Sequence, residues 1–463
     1  MHPYVTSETI PPAPADAAEQ ARFVRERLPA EGLFADHDWR TSPAPYPLGP
    51  ALGKEIESLG RVLLQFYRAV NLLYRKSVEG KQPEWIARWL DLGKPADLVA
   101  LQRSPALKND VPRVIRPDLL VTEQGLSVTE LDSVPGGIGL TGWLNQTYSA
   151  MGAEVLGGAD GMLRGFASIF GDAAAAHIVV SEEASTYRPE MIWLANQLGS
   201  SRFKVRNSDF SAFTDGDAVY RFFELFDLAN VPNAKAIFEL AVAKRIRLTP
   251  PPKPMFEEKM LFALLWNRNL HGFWRQELGE SFFSRLLRLV PYTWIVDPAP
   301  LPPHAAIPEL NLTDWRQLKA LSQKDRELIL KVSGFSADAW GARRLSRQRP
   351  PASRLGGSGG RGPRELRALP ECAATLPPAG AGRGPVVRLR SQPTSADEGT
   401  RAALPILLCC RRGGRGARRT GRRAGDDLPG GQEDHTRHEG CRLRALFAMS
   451  LTFFIIVLAR RKS

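Results

Sequence analysis

The first 340 residues of this 463-residue chain contain no cysteine and no long apolar run. The absence of cysteine excludes a disulfide framework in this part of the chain. Residues 1–20 lack the basic segment and the apolar stretch that together make a signal peptide. No run approaches the roughly 20 apolar residues that cross a bilayer. We therefore predict a cytoplasmic protein and expect no membrane association for residues 1–340.

Aromatic residues are missing from most of the remaining sequence. Between Gly341 and Leu446 there is no Phe, Tyr or Trp. Residues 341–463 contain 25 of the 62 Lys and Arg residues but 9 of the 49 Asp and Glu residues, a net charge of +16 that leaves −3 for residues 1–340. Such a segment cannot bury enough apolar surface to offset the entropy of ordering it. We predict a disordered or out-of-frame tail at 341–448 and a short hydrophobic end at 449–463.

The charge and the apolar end of the tail bear on its partners. Arginine pairs such as Arg411–Arg412 attract nucleic acid by charge, but no aromatic side chains accompany them to stack on bases, so we expect no nucleic acid partner. The apolar run at 445–459 is short for a bilayer span, and a membrane anchor at this end stays an open alternative.

The composition of the tail also suggests a hypothesis about its origin. Arg, Gly, Ala and Pro are the amino acids of GC-rich codons, so a GC-rich gene translated one nucleotide out of register would give this tail. The genetic code permits a sequence of mixed apolar and polar character when the codons of 420–445 are translated one base later. A continuous shifted frame in the DNA supports the hypothesis, and an early stop codon refutes it.

The order of the predicted elements indicates an α/β (α+β) fold. Residues 1–110 combine a Pro-rich start with helices, the longest at 52–74, where apolar residues recur at helical spacing. Over 111–340 strands and helices alternate, which argues against a helical bundle. We predict helices at 15–28, 52–74, 84–92, 96–101, 141–151, 162–170, 188–198, 233–244 and 256–266. We predict strands on both sides of Glu123–Gly125 and at 177–180, 218–226 and 327–332.

Four charged residues lie on two neighbouring predicted strands. Arg116 and Asp118 are on the first strand and Glu130 and Asp132 on the second, and the two-residue period of a strand places each pair on one face. Three converging carboxylates repel one another unless a cation joins them, and oxygen ligands suit Mg²⁺. The guanidinium suits a phosphate or a carboxylate. A surface hairpin with solvated charges explains the pattern equally well.

The second of these strands ends in a Pro-Gly-Gly sequence. Glycine allows the backbone to approach a ligand closely, which makes Gly136 and Gly137 candidate cofactor contacts. A second group of polar residues follows the predicted strand at 177–180 and reads as a ligand-facing loop without assigned roles. It comprises Glu183, Tyr187, Arg188 and Glu190.

The pattern R-x-D, followed by E-x-N/D on the next strand, resembles the circularly permuted ATP-grasp family that includes glutathionylspermidine synthase. Spacing and order match at Arg116, Asp118, Glu130 and Asp132, except that Asp132 stands where the family usually has Asn. The resemblance covers residues 111–340. It implies an ATP-grasp-like fold, incomplete here, in which the three acidic positions bind Mg²⁺ and the arginine meets phosphate.

A second match to this family lies at 327–336. A predicted strand carries Lys331 and leads into a small-residue loop with Gly334 and Ser336. The resemblance implies that Lys331 contacts the phosphates of ATP and that the loop closes over them. Backbone N–H groups and an ammonium suit a triphosphate. Taken alone, an edge strand with an exposed lysine is the simpler interpretation. Lys259 is a further candidate for a nucleotide contact.

We therefore expect an ATP- and Mg²⁺-dependent carboxylate–amine ligase scaffold that acts through an acyl phosphate, with Arg116 and Lys331 as catalytic residues. The substrates would be small-molecule or peptide carboxylates and amines. The chain as written is expected to be inactive, because the C-terminal part of the fold is missing.

Two alternative functions remain. Gly137, Gly139 and Gly142 match the G-x-G-x-x-G pattern of dinucleotide-binding oxidoreductases. That pattern normally follows an apolar strand, whereas two acids and Pro135 precede it here. The other alternative is a non-catalytic remnant or interaction protein.

Overall fold

A computed structural model describes most of residues 16–335 and four short segments of the tail. The described residues are 16–29, 42–122, 125–297, 301, 305–310, 312–320, 328–335, 343–344, 371–375, 402–403 and 407–408. The helices are α1 (Ala17–Glu26), α2 (Gly49–Val78), α3 (Glu84–Asp91), α4 (Ala96–Arg103), α5 (Ile138–Ala150), α6 (Gly161–Ser168), α7 (Arg188–Leu198), α8 (Ala234–Val242), α9 (Leu261–Trp266) and α10 (His271–Leu289). The strands are β1 (Val114–Thr122), β2 (Gly125–Asp132), β3 (Ala176–Val180), β4 (Phe203–Asn207), β5 (Ala218–Phe222), β6 (Arg247–Thr249), β7 (Thr293–Val296), β8 (Leu328–Val332), β9 (Arg343–Arg344), β10 (Glu371–Thr375), β11 (Ala402–Ala403) and β12 (Leu407–Leu408).

Helix α2 organises the N-terminal part of the chain. Its apolar repeat forms one buried face, which packs against α3 and α10. Pro50 stands in its first turn, where a missing N–H costs nothing because that donor has no partner within the helix. The helix therefore ties the N-terminal region to the main hydrophobic core, which also contains residues of β1, β2, α6, α9 and α10.

Strands β4, β3, β5 and β6 form a parallel sheet in that order. The central strands β3 and β5 are buried along their whole length, as expected for a parallel sheet covered on both faces. One face packs on residues of α6 and α7, and the other packs on α8. The carboxyl ends of these strands lie at one edge, which is the usual position for a ligand in a sheet of this kind.

Strands β1 and β2 form an antiparallel hairpin. Asp118 faces Glu130 and Arg116 faces Asp132 in its register. The register shifts by one residue after Asp118, so that Leu119 faces Val128 and Thr129 has no partner in the ladder. This irregularity is a β-bulge, a feature that often re-aims side chains next to functional sites.

The tail contributes strands to two sheets. Strand β10 pairs with both β7 and β8, β9 pairs with β8, and β11 and β12 pair with β1, all of them antiparallel. The rest of the segment 341–448, for which we predict disorder, lies outside the described residues, as does the hydrophobic end at 449–463. No described helix is both long enough and apolar enough to cross a bilayer.

The mixture of helices with parallel and antiparallel sheets confirms the predicted α/β (α+β) fold. Strands β4, β6 and β7 and helix α10 were not predicted. The predicted helix at 256–266 was wrong in its first part, since a 3₁₀ turn at Pro254–Glu257 precedes the short α9. The predicted strand at 218–226 ends at Phe222, and a 3₁₀ helix begins at Leu225.

Helices α5 and α7 approach each other closely because glycine lines their contact. A Cβ atom on Gly139 would lie 2.7 Å from the backbone oxygen of Glu190, and one on Gly142 would lie 3.2 Å from the ring of Trp193. Gly137 precedes α5 with a φ of 83°, a left-handed conformation that favours glycine. The glycines at 137, 139 and 142 therefore serve a turn and a helix–helix contact.

The carboxylate of Glu190 caps the start of α5. Its Oε1 accepts the N–H of Gly137 at 2.7 Å, and its Oε2 accepts the N–H of Leu140 at 3.4 Å. These are donors that a helix N-terminus leaves without an intrahelical partner. In a dinucleotide-binding protein, pyrophosphate occupies this position. A buried side chain of the protein occupies it here, which argues against the oxidoreductase alternative.

We expect Gly139→Ala to destabilise the protein by about 1–3 kcal/mol, the usual cost of overpacking a contact that cannot relax. The matched control is Gly272→Ala in α10, where an added Cβ meets nothing within 4 Å. That substitution should change stability by less than about 1 kcal/mol. Urea unfolding of both variants measures the difference, and equal effects would contradict the close contact.

Stability should also depend on pH through Glu190. Burial raises the pKa of Glu190 to about 7, and the N–H groups of Gly137 and Leu140 only partly oppose this shift. Relative to the unfolded state, the folded state therefore favours the protonated form of Glu190 at acidic pH. Its contribution to stability is complete below the unfolded pKa of 4.5 and is lost as the pH rises through about 7.

The control for this dependence is Glu190→Gln, which cannot titrate. The free energy of unfolding of the wild type relative to this variant should fall by up to about 3 kcal/mol between about pH 4.5 and 7. Urea unfolding midpoints at several pH values provide the measurement. A difference that does not change with pH would rule out a raised pKa.

Candidate active site

Arg116 links carboxylates on both strands of the β1–β2 hairpin. Its Nε donates to Oδ1 of Asp118 at 3.0 Å, and its Nη2 lies 3.2 Å from Oδ2 of Asp132. Its Nη1 donates to the backbone oxygen of Gly136 at 3.3 Å. The structure therefore brings these side chains together on one face of the hairpin, as the strand period predicts.

Glu130 faces two lysines from distant parts of the chain. Its Oε1 lies 2.8 Å from Nζ of Lys259, and its Oε2 lies 3.4 Å from Nζ of Lys331. Lys331 also donates to the backbone oxygen of Thr129 at 3.0 Å. That carbonyl is available because the β-bulge removes Thr129 from the ladder. The bulge thus gives Lys331 a second acceptor beside Glu130.

The charges of this cluster shift the pKa values of its members. Burial raises the pKa of Asp118 to about 6, and the charges of Glu130 and Asp132 add to the effect against the opposing charge of Arg116. Burial also raises the pKa of Asp132. Burial would raise the pKa of Glu130 too, but Lys331 and Lys259 outweigh it and lower that pKa.

A buried network holds the two lysine-bearing segments together. Lys94 pairs with Glu258, and both side chains are almost completely buried. The other oxygen of Glu258 accepts the hydroxyl of Ser333, and Ser333 Oγ accepts the N–H of Met260 at 2.8 Å. Lys259 and Lys331 each lie within two residues of this network. It therefore fixes both lysines next to the hairpin.

The segment after Lys331 packs against the backbone of Glu257. Gly334 has a φ of 48°, and a Cβ atom there would lie 2.6 Å from the backbone oxygen of Glu257. Only glycine fits this contact. Ser336, the other predicted residue of this loop, lies outside the described residues. Closure of the loop over a nucleotide stays a prediction.

One candidate glycine contacts Arg116, and both candidate glycines lie next to residues of the polar loop. Gly136 accepts from Arg116, and Gly137 donates to Glu190. A Cβ atom on Gly136 would lie 2.3 Å from the ring of Tyr187. Glu183 is exposed, and Arg188 donates to Asn207 Oδ1 and to the Val180 oxygen. Among the described residues, no hydrogen bond or ion pair joins either side chain to the charge cluster.

Three features of the site were missed from the sequence. Lys94 lies in no recognisable pattern, and its partner Glu258 is 164 residues away. The sequence of the hairpin contains no pattern that predicts the bulge at Thr129. The capping role of Glu190 has no local pattern either, because Glu190 is 53 and 50 residues away from the two N–H groups that it accepts.

The oxygen ligands of the hairpin fit a magnesium ion in their chemistry. In the part of the chain that the structure describes, no three His, Cys, Asp or Glu side chains are grouped so that they hold a metal ion. Asp118, Glu130 and Asp132 are instead each paired with a basic side chain. Burial raises the pKa of Asp118, and the charges of Glu130 and Asp132 add to this shift although Arg116 opposes it. A divalent cation beside the three carboxylates would offset both effects.

Comparisons with known proteins return structural similarity alone. No family model and no curated protein matches the sequence. The chain is similar to the structure of a glutathione synthetase-like effector from Globodera pallida in its apo form, with 14% identity, coverage of 84% of this chain and 88% of that chain, and a TM-score of 0.48. It is also similar to a candidate γ-glutamylcysteine synthetase from Methylobacillus flagellatus KT, with 13% identity, coverage of 79% and 82%, and a TM-score of 0.32. These likenesses leave the family of the chain open.

Proposed function

We propose that this chain carries an ATP- and Mg²⁺-dependent carboxylate–amine ligase scaffold of the circularly permuted ATP-grasp type, similar to glutathionylspermidine synthase. The observation that supports it is the charge cluster of β1 and β2 with Lys259 and Lys331. Arg116, Asp118, Glu130 and Asp132 come from one hairpin, and the two lysines reach it from segments more than 120 residues away. A solvated surface hairpin would not gather these partners.

The cluster contains three carboxylates and three basic groups. Mg-ATP likewise contains both signs of charge, positive on the metal and negative on the phosphates. Lysines that pair with Glu130 suit phosphate oxygens as well, because an ammonium binds either anion. Carboxylates released from the lysines suit a cation. Binding would thus exchange ion pairs within the protein for ion pairs with the ligand, and no charge would remain buried without a partner.

The chemistry we propose is acyl-phosphate formation. A substrate carboxylate attacks the γ-phosphorus of ATP and ADP leaves; an amine then attacks the acyl carbon, phosphate leaves and the amine loses a proton. Arg116 and Lys331 would stabilise the charge of the transferring phosphoryl group. Mg²⁺ held by Asp118, Glu130 and Asp132 would neutralise phosphate charge. Glu258 and Ser333 would keep Lys331 in place.

We propose further that the chain as written is inactive. The family places the strands that complete the nucleotide cleft after the Lys331 loop. In this chain, residues 341–446 contain no Phe, Tyr or Trp, and 22 of them are arginines. Such a composition does not suit an apolar pocket that would hold a base. Phosphoryl transfer depends on positioning and electrostatics, so an incomplete cleft would lose nearly all activity.

Nucleotide binding tests the scaffold. We expect the full chain to bind ATP only with Mg²⁺ and to prefer ATP over NAD, measured by isothermal titration calorimetry with and without a chelator. Lys331→Met should weaken binding about 10- to 100-fold, because it removes a charge-assisted contact. Asp118→Asn should reduce the dependence on Mg²⁺.

The control for nucleotide binding is Lys81→Met. Lys81 pairs with Glu79 on the surface and its side chain is 69% exposed, so this variant should bind as the wild type does. Metal-independent binding, or preference for NAD, would contradict the proposal.

Measurement of ATP turnover tests the hypothesis that the tail is out of frame and leaves the chain inactive. A chain rebuilt with the shifted frame restored should hydrolyse ATP in the presence of Mg²⁺ and suitable carboxylate and amine substrates, whereas the chain as written should not. The control is the rebuilt chain with Lys331→Met, which should be inactive although its fold is complete. Equal turnover by the chain as written and the rebuilt chain would show that the tail is a functional part of the protein.

A further inference from the structure

One peptide group joins Arg116 to a carboxylate outside the charge cluster. The carbonyl oxygen of Gly136 accepts from Nη1 of Arg116 at 3.3 Å. The N–H of Gly137 belongs to the same peptide group and donates to Oε1 of Glu190 at 2.7 Å. A cation thus faces the negative end of the peptide dipole, and an anion faces its positive end.

This arrangement makes the two hydrogen bonds support each other. Hydrogen bonds in a chain polarise one another, and the effect is larger where the local dielectric is low. Glu190 is 2% exposed. We propose that Glu190 is a positioning residue for Arg116 and acts through the Gly136–Gly137 peptide. This inference rests on the proposed function, in which Arg116 meets phosphate.

Three glycines allow Glu190 to come within hydrogen-bond distance of the Gly136–Gly137 peptide. A side chain at position 136 would collide with Tyr187, and one at position 139 would collide with the backbone of Glu190. Position 137 needs the left-handed conformation that it has. Glycines at 136, 137 and 139 therefore let α7 come close enough for Glu190 to reach the peptide group. The glycine-rich sequence after β2 thus has a use in the site without binding a nucleotide itself.

The third hydrogen bond of Arg116 fixes the plane of its guanidinium. Nε is used by Asp118 and Nη2 by Asp132, so the Gly136 oxygen engages the remaining nitrogen. Three acceptors at different edges of a planar group leave it one orientation. If the peptide rotates, Arg116 keeps its charge and both carboxylates but loses this constraint. Glu190 therefore controls orientation without touching the ligand.

The test compares Glu190→Gln with Trp193→Leu in the full chain, at about pH 8, where Glu190 is ionised. Glutamine has the shape of glutamate but lacks the charge. Trp193 packs on the same α5–α7 contact at Gly142, whereas the hydrogen bonds of the peptide go to Arg116 and Glu190, so loss of Trp193 reproduces a structural weakening alone. Glu190→Asp, with the charge but a shorter reach, replaces Glu190→Gln if that variant does not fold.

The first readout is the Nε–H signal of Arg116 in NMR spectra of ¹⁵N-arginine protein, assigned by its loss in Arg116→Lys. Glu190→Gln should shift this signal and speed its hydrogen exchange, whereas Trp193→Leu should leave it in place. An Arg116 signal that does not respond to Glu190→Gln overturns the positioning role.

The second readout is a double-mutant cycle on the Kd for Mg-ATP. Glu190→Gln should weaken binding about 3- to 10-fold, a coupling of the size found between residues in one network. In an Arg116→Met background it should have no further effect. A loss that persists in that background overturns the inference. If Arg116→Met leaves binding unchanged while Glu190→Gln still moves the Arg116 signal, the proposed function fails and the positioning role stands.

Discussion

The guanidinium of Arg116 is the group on which the rest of the site depends. Asp132 and Asp118 lie on adjacent strands, and like charges across a strand pair destabilise a hairpin. Burial would lower the pKa of Arg116, but these two carboxylates outweigh it and raise the pKa above its usual value. The arginine therefore stays charged and lets the hairpin hold several acids. With Asp118 and Asp132 engaged, Glu130 is left for Lys259 and Lys331.

The sequence predicts the features that local pattern controls. Helix α2 follows from a long apolar repeat, and the hairpin follows from two strands around Glu123–Gly125. Edge strands are harder to predict: β4 carries two basic residues in five and has only one buried residue, and β6 has only three residues. Helix α10 contains Gly272 and Gly279, and its backbone is non-helical at Gly279, which breaks the period on which prediction relies.

The same limit applies to the site. Arg116, Asp118, Glu130 and Asp132 are found because they are close in sequence, with spacing that the strand period converts into one face. Pairs such as Glu130 with Lys331, 201 residues apart, depend on the tertiary fold and have no local pattern. The G-x-G-x-x-G sequence shows the opposite problem. A left-handed turn and a close helix contact require the same glycines as a phosphate-binding loop does, so the pattern alone does not distinguish the two uses.

The ion pair between Lys94 and Glu258 has a consequence for how the protein forms during synthesis. Its partners are 164 residues apart, and bringing them together carries the entropic cost of closing a long loop. Domains generally begin to fold from the N-terminus as the chain leaves the ribosome. Helices α2 to α4 and the β1–β2 hairpin can therefore form early, but the pair between Lys94 and Glu258 cannot form until residue 258 has emerged. Glu130 likewise waits for residues 259 and 331. Until then the nascent chain carries a hairpin with an excess of negative charge, which opposes the hydrophobic collapse and premature association of its surroundings.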